Sequence, residues 1–90
     1  MAHAVVLTVS LVGDRDEGMR MLDEMVIPST TSQPGFERGT WMHNADTTKG
    51  TAVIVFDTEE HASAAVPALQ PPPGGPTVVS CEVLEVARDA

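Results

Sequence analysis

Ninety residues with a net charge of −8 and no internal break in composition leave room for one hydrophobic core, and hence for a single domain spanning residues 1–90. The five cations (Arg15, Arg20, Arg38, Lys49 and Arg88) are scattered among thirteen acids, which disfavours nucleic acid and anionic membranes as partners, since both require several basic groups on one face. Cys81 is the lone cysteine beside three histidines, so neither an intramolecular disulfide nor a zinc pattern is available, and no cofactor is implied.

A chain this short buries only roughly 60–65% of the surface its unfolded form exposes, so a further source of stability is expected. Self-association is the natural one. The first residues, Met1 to Leu7, lack a basic leader, and their apolar run is broken by Thr8 and Ser10. Neither a signal peptide nor a membrane span is expected, and a cytoplasmic protein follows.

Ala4 to Val12 alternates on its odd positions, Val5, Leu7, Val9 and Leu11, which predicts a strand with two unequal faces. Gly13 releases the chain, and Asp14 with Glu17 three residues on has the spacing of a capping box. The helix that follows carries its inner stripe on Gly18, Met19, Leu22, Met25 and Val26, with Arg15, Arg20, Asp23 and Glu24 largely outside it. That stripe is expected to pack on a sheet.

Val26 to Trp41 is the corner on which the rest is organised, turning a helix into a strand. Pro28 has no amide hydrogen and disfavours helix at Ile27, the polar residues Ser29 to Gln33 favour turns, and Pro34-Gly35 supplies a reversal. Phe36 to Asn44 then reads as a strand with Gly39, Trp41 and His43 on one face and Arg38, Thr40 and Met42 on the other. The pattern leaves open which face is inward. Ala45 to Thr48 is a polar turn, and Lys49 to Asp57 contains the β-branched run Thr51 to Phe56, a central strand hairpinned to its predecessor.

Asp57 or Thr58 caps a second helix, with Glu59 and Glu60 in its first turn and Ala62, Ala65, Val66 and Leu69 along its apolar face. Pro67 predicts a kink or break, and Pro71 to Pro76 a rigid loop. Thr77 to Ala87 is the last strand. The order is βαββαβ, an α+β ferredoxin-like arrangement: a four-stranded antiparallel sheet with both helices on one face. The strands carry apolar residues on both faces, so the bare face needs a cover, and a second copy of the sheet is the simplest one.

Ile27-Pro28, then Pro34-Gly35-Phe36, Gly39-Thr40-Trp41, the junction Val55-Phe56-Asp57-Thr58-Glu59-Glu60-His61-Ala62 and a closing valine-rich strand resemble the dimeric α+β barrel superfamily. Within it, the chain is similar to the antibiotic biosynthesis monooxygenase-like group. The resemblance spans nearly the whole chain. It implies a homodimer whose two sheets close into one barrel, with a pocket in each subunit between sheet and helices. Members include cofactor-independent oxygenases acting on aromatic polyketides and haem-degrading enzymes. The asparagine, tryptophan and histidine of the haem-degrading branch do not map onto these positions, and the chain has no tyrosine.

Trp41 and His43 form the sharpest candidate pair, a stacking plane beside a proton-transfer group, with His43 as the catalytic candidate. The commoner uses of such residues are core or dimer-interface filling for Trp41 and an exposed strand position for His43. Arg38 is the candidate to hold a carboxylate or polarised oxygen, or else pairs with an acid at the surface. Met19, Met25 and Met42 either line an adaptable apolar pocket or are plain core. Cys81 reads as a small apolar residue, and His61 as a solvated one.

Three functions fit these residues. The first is a cytoplasmic homodimer that binds a small apolar or aromatic molecule between sheet and helices. The second is a cofactor-independent monooxygenase on an aromatic substrate, with His43 as base. The third is a structural or accessory dimer without a ligand.

Overall fold

The computed structural model describes residues Met1–Ala90. Four strands, β1 (His3–Ser10), β2 (Phe36–His43), β3 (Lys49–Phe56) and β4 (Thr77–Glu85), form one antiparallel sheet in the order β2-β3-β1-β4. With the helices between β1 and β2 and between β3 and β4, this is the ferredoxin-like α+β fold that the element order predicts. The sheet is central at β3 and β1, where the β-branched runs lie, and β3 is buried at Ala52, Ile54, Val55 and Phe56.

The first helical segment departs from expectation at both ends. It runs as α1 (Arg15–Met21), a π-helical turn over Leu22–Val26, and α2 (Ile27–Thr31), with helical backbone angles at the joints Leu22, Val26 and Ile27. Pro28 therefore does not end the helix. The wide turn, in which the Ile27 amide donates to the Leu22 carbonyl, resets the register so that Pro28 falls in the first turn of α2, where a missing N–H costs least. At the start, Asp14 has the extended backbone of an N-cap but its side chain makes no cap hydrogen bond. Glu17 is engaged by Arg20 instead, so the capping-box spacing is not used.

No residue of α1 or the π turn is buried. The stripe expected to pack on the sheet stands off it, with Met19 39% and Met25 54% exposed. The packed side of the helical layer comes instead from α3 (Glu59–Ala65) and the 3-10 turn Val66–Leu69. Ala62, Ala65 and Leu69 close on Val5, Ala52, Ile54 and Phe56, flanked by Phe36, Trp41, Cys81 and Val83. The Thr58 hydroxyl accepts from the His61 amide at 3.1 Å and caps α3. Pro67 converts its end to a 3-10 turn, as its missing donor predicts.

Gly35 ties the corner before β2 to the end of β3. Its φ is +78°, its carbonyl accepts from the Asp57 amide at 2.9 Å, and a Cβ there would stand 2.3 Å from Asp57 Oδ1 and 2.4 Å from His61 Nδ1. Phe36 and Phe56, next to this joint, meet edge to face at 6.3 Å.

On the face away from the helices, Arg38, Val55, Ala4 and Leu84 form one cross-strand row. After β4 the chain turns back, and Asp89 forms an ion pair with Arg38 on the opposite edge strand. The Val86 amide still donates to the Ala2 carbonyl at 2.9 Å, and Ala4 and Val55, in the row between Leu84 and Arg38, are only 6% and 4% exposed. Farther along, Val6 and Val53 are half-buried, and Met42 is 48% exposed.

Candidate functional site

Because α1 and the π turn stand off the sheet, a cavity of about 750 Å³ lies between the two layers. Its floor is the helix-facing side of the sheet, including Leu7, Trp41, Ala52 and Ile54; its roof is the stripe from Gly18 to Val26. Pro71, Pro72 and Pro76 of the loop before β4 close one flank. The walls are mostly apolar, with a few polar groups, which is the character of a small-molecule site.

Trp41, His43, Met19, Met25 and Met42 all border the cavity. Trp41 packs against the hydrophobic core on the helix side, which settles the inward face of β2: Gly39 and Trp41 point in, and Arg38 and Thr40 point out. Met42, on the outward alternation, reaches only the cavity's edge. Arg38 is not among the lining residues; strand alternation carries it to the far face, where Asp89 takes its guanidinium.

His43 sits at the end of β2, paired with Gly50, which is also the partner of Val9. Gly50 is buried, and the side chains of Val9 and Leu11 close over it: a Cβ there would stand 3.4 Å from each. His43 Nδ1 lies 2.9 Å from the Asn44 carbonyl oxygen. A carbonyl only accepts, so Nδ1 is the donor, and in the neutral ring the lone pair is on Nε2. The turn behind it is held by Asn44, whose Oδ1 accepts from the Thr48 and Lys49 amides at 3.0 and 2.9 Å.

Several lining residues are not marked as site residues by the sequence, Thr30, Gly18 and Arg15 among them. Thr30, 2% exposed, lies at the back of the cavity. Its hydroxyl has no protein partner, yet no fully enclosed side-chain polar atom lacks one, so the hydroxyl is open to the cavity. Gly18 lines the roof, where an added Cβ would meet nothing within 4 Å. Arg15 stands at the rim; it heads the stripe at i, i+3 and i+7 with Gly18 and Leu22, a spacing that was the available signal.

At the opposite end of β3, His61 Nδ1 donates to Asp57 Oδ1 at 2.6 Å. This hydrogen bond, with a smaller Coulombic contribution from His61, holds the Asp57 carboxyl below its usual range. The pair is half exposed and remote from the cavity, and its role is to brace the Gly35 corner.

No family model and no curated protein matches the chain. Solved structures do. SnoaB, a cofactor-independent oxygenase from Streptomyces nogalater, superimposes with a TM-score of 0.73 at 14% identity, covering 98% of this chain and 95% of that one. Rv0793 from Mycobacterium tuberculosis gives 0.61 at 20% identity over 100% and 99%, and MupZ from Pseudomonas fluorescens 0.64 at 16% over 91% and 69%. The chain shares with these structures the ferredoxin-like α+β fold described above. At these identities the likeness extends to the fold alone. No helix is long and apolar enough to cross a membrane.

Proposed function

We propose that this protein is a homodimer that takes up a small apolar or aromatic molecule in the cavity between sheet and helices. The observation that carries the reading is the unburied apolar stripe of α1 and the π turn, facing about 750 Å³ of open space. A helix face with this pattern gains its stabilisation only when covered, at about 25 cal/mol per Å² of apolar surface removed from water. A ligand supplies that cover, which weighs against the purely structural dimer. Trp41 is the only tryptophan and there is no tyrosine, so intrinsic fluorescence reports on the cavity. Saturable quenching by anthrone is expected for the native protein and should vanish in Gly18→Leu, whose side chain enters the open space. Equal quenching in both proteins would reject the site.

A second reading, cofactor-independent oxygenation of an aromatic substrate, is favoured specifically by His43. His43 borders the cavity, and with Nδ1 donating to Asn44 its neutral ring has Nε2 to take a proton from a bound activated aromatic, which then supplies the electrons for reaction with oxygen. His43→Ala should abolish oxygen consumption with anthrone while leaving the fold intact. Unchanged consumption would remove His43 from that role.

A further inference from the structure

We infer that the ligand is an apolar acid, bound with its anionic oxygen group at the rim against Arg15 and its apolar body inward against Trp41 and the methionines. This rests on the ligand-binding reading above and adds charge and orientation to it.

In a chain with thirteen acids and five cations, a free arginine is unusual. Arg20 is held by Glu17 and Glu24, Arg38 by Asp89, and Arg88 donates to the Ala87 carbonyl at 2.7 Å. Arg15 has no carboxylate within 4 Å, although Asp14 and Glu17 share its rim. Glu17 is taken by Arg20, which leaves the Arg15 guanidinium with its planar donor set unused. Arg15 is also the only arginine or lysine among the lining residues. The interior offers neutral polar groups such as the Thr30 hydroxyl, so a charged ligand group has one place to find a partner, since burying it unpaired would cost far more than a hydrogen bond returns.

The topology puts this cation at the end of the cavity that holds His43. Ser10 pairs with Lys49 and His43 with Gly50, so β1 and β2 finish at the same end of the sheet, and β1 leads through Gly13 directly into Arg15. An acid anchored there lies at the same end of the cavity as His43.

Equilibrium dialysis with 2-naphthoate and 2-naphthamide, which share a ring system and differ in charge, tests the assignment. Naphthoate should bind about tenfold more tightly, as one charge-assisted contact allows, and its advantage should shrink as sodium chloride is raised. Arg15→Gln should erase the advantage and leave naphthamide binding within about twofold, the margin expected where no contact changes. Equal binding of the two probes by the native protein, or equal loss of both in Arg15→Gln, would overturn the charge assignment while the cavity reading stands. Failure of both probes to bind would overturn the two together.

Discussion

The indole of Trp41 lies back over Gly39: a Cβ on that glycine would stand 2.8 Å from ring atom Cη2 and 2.9 Å from Cζ3. Two residues apart on the same face of β2, they divide the work. Gly39 leaves the space, and Trp41 fills it with a ring that also borders the cavity. Gly39→Ala should push the ring outward, shift the tryptophan emission to longer wavelength and cost about 1 kcal/mol in urea unfolding, the low end of overpacking penalties. Unchanged emission would mean that the ring is not seated there.

Gly35 and Gly74 both have left-handed backbone, with φ of +78° and +82°, but only Gly35 is crowded. Gly74→Ala meets open space and should cost roughly 1 kcal/mol for the backbone conformation alone. Gly35→Ala also drives a Cβ into Asp57 and His61 and should cost roughly 3 kcal/mol. Paired chemical denaturation measures the difference, and equal losses would contradict the contact at the corner.

The Asp57 carboxyl is held below its usual value of 3.8 by the hydrogen bond from His61. A depressed folded-state value makes the pair's contribution fully present above the unfolded carboxyl's range, and it is lost as pH falls through the folded value. Asp57→Asn should therefore lower the urea midpoint near neutral pH and flatten its decline between about pH 5 and pH 3. A decline as steep as that of the native protein would show that other carboxylates set the acid limb.

If two copies close over the bare sheet face, the residues that matter are Val6 and Val53, cross-strand partners on that side. Val53→Asp should weaken self-association at least tenfold in sedimentation equilibrium, because an unpaired carboxylate would be buried. Trp41→Ala, on the opposite face of the sheet, should leave the subunit count unchanged. The reverse pattern would place the interface on the helical side.

Strand positions and order were legible because alternation and β-branched runs report burial directly: Val5 and Leu7 on β1 and Ile54 and Phe56 on β3 are all buried. The break at Pro67 was legible for the same local reason, a missing donor. Pro28 was not, because the widened turn that accommodates it depends on the whole segment from Leu22 and leaves no mark at the proline. The stripe of Met19, Leu22 and Met25 was read as a face and misread as packed. Periodicity records which side is apolar, not whether protein covers it. Arg38 and Trp41 were assigned to opposite faces of β2 from alternation, but the inward one was fixed only by packing against Ala52 and Ile54, contacts distant in sequence.

Native mass spectrometry of the unmodified protein beside Gly18→Leu, each mixed with excess 2-naphthoate, tests ligand uptake and pairing together. A dimer carrying one naphthoate per subunit is expected for the native chain, and a bare dimer for the variant whose side chain fills the cavity. A monomer would contradict the pairing of the sheets, and naphthoate retained equally by both proteins would contradict the cavity as its site.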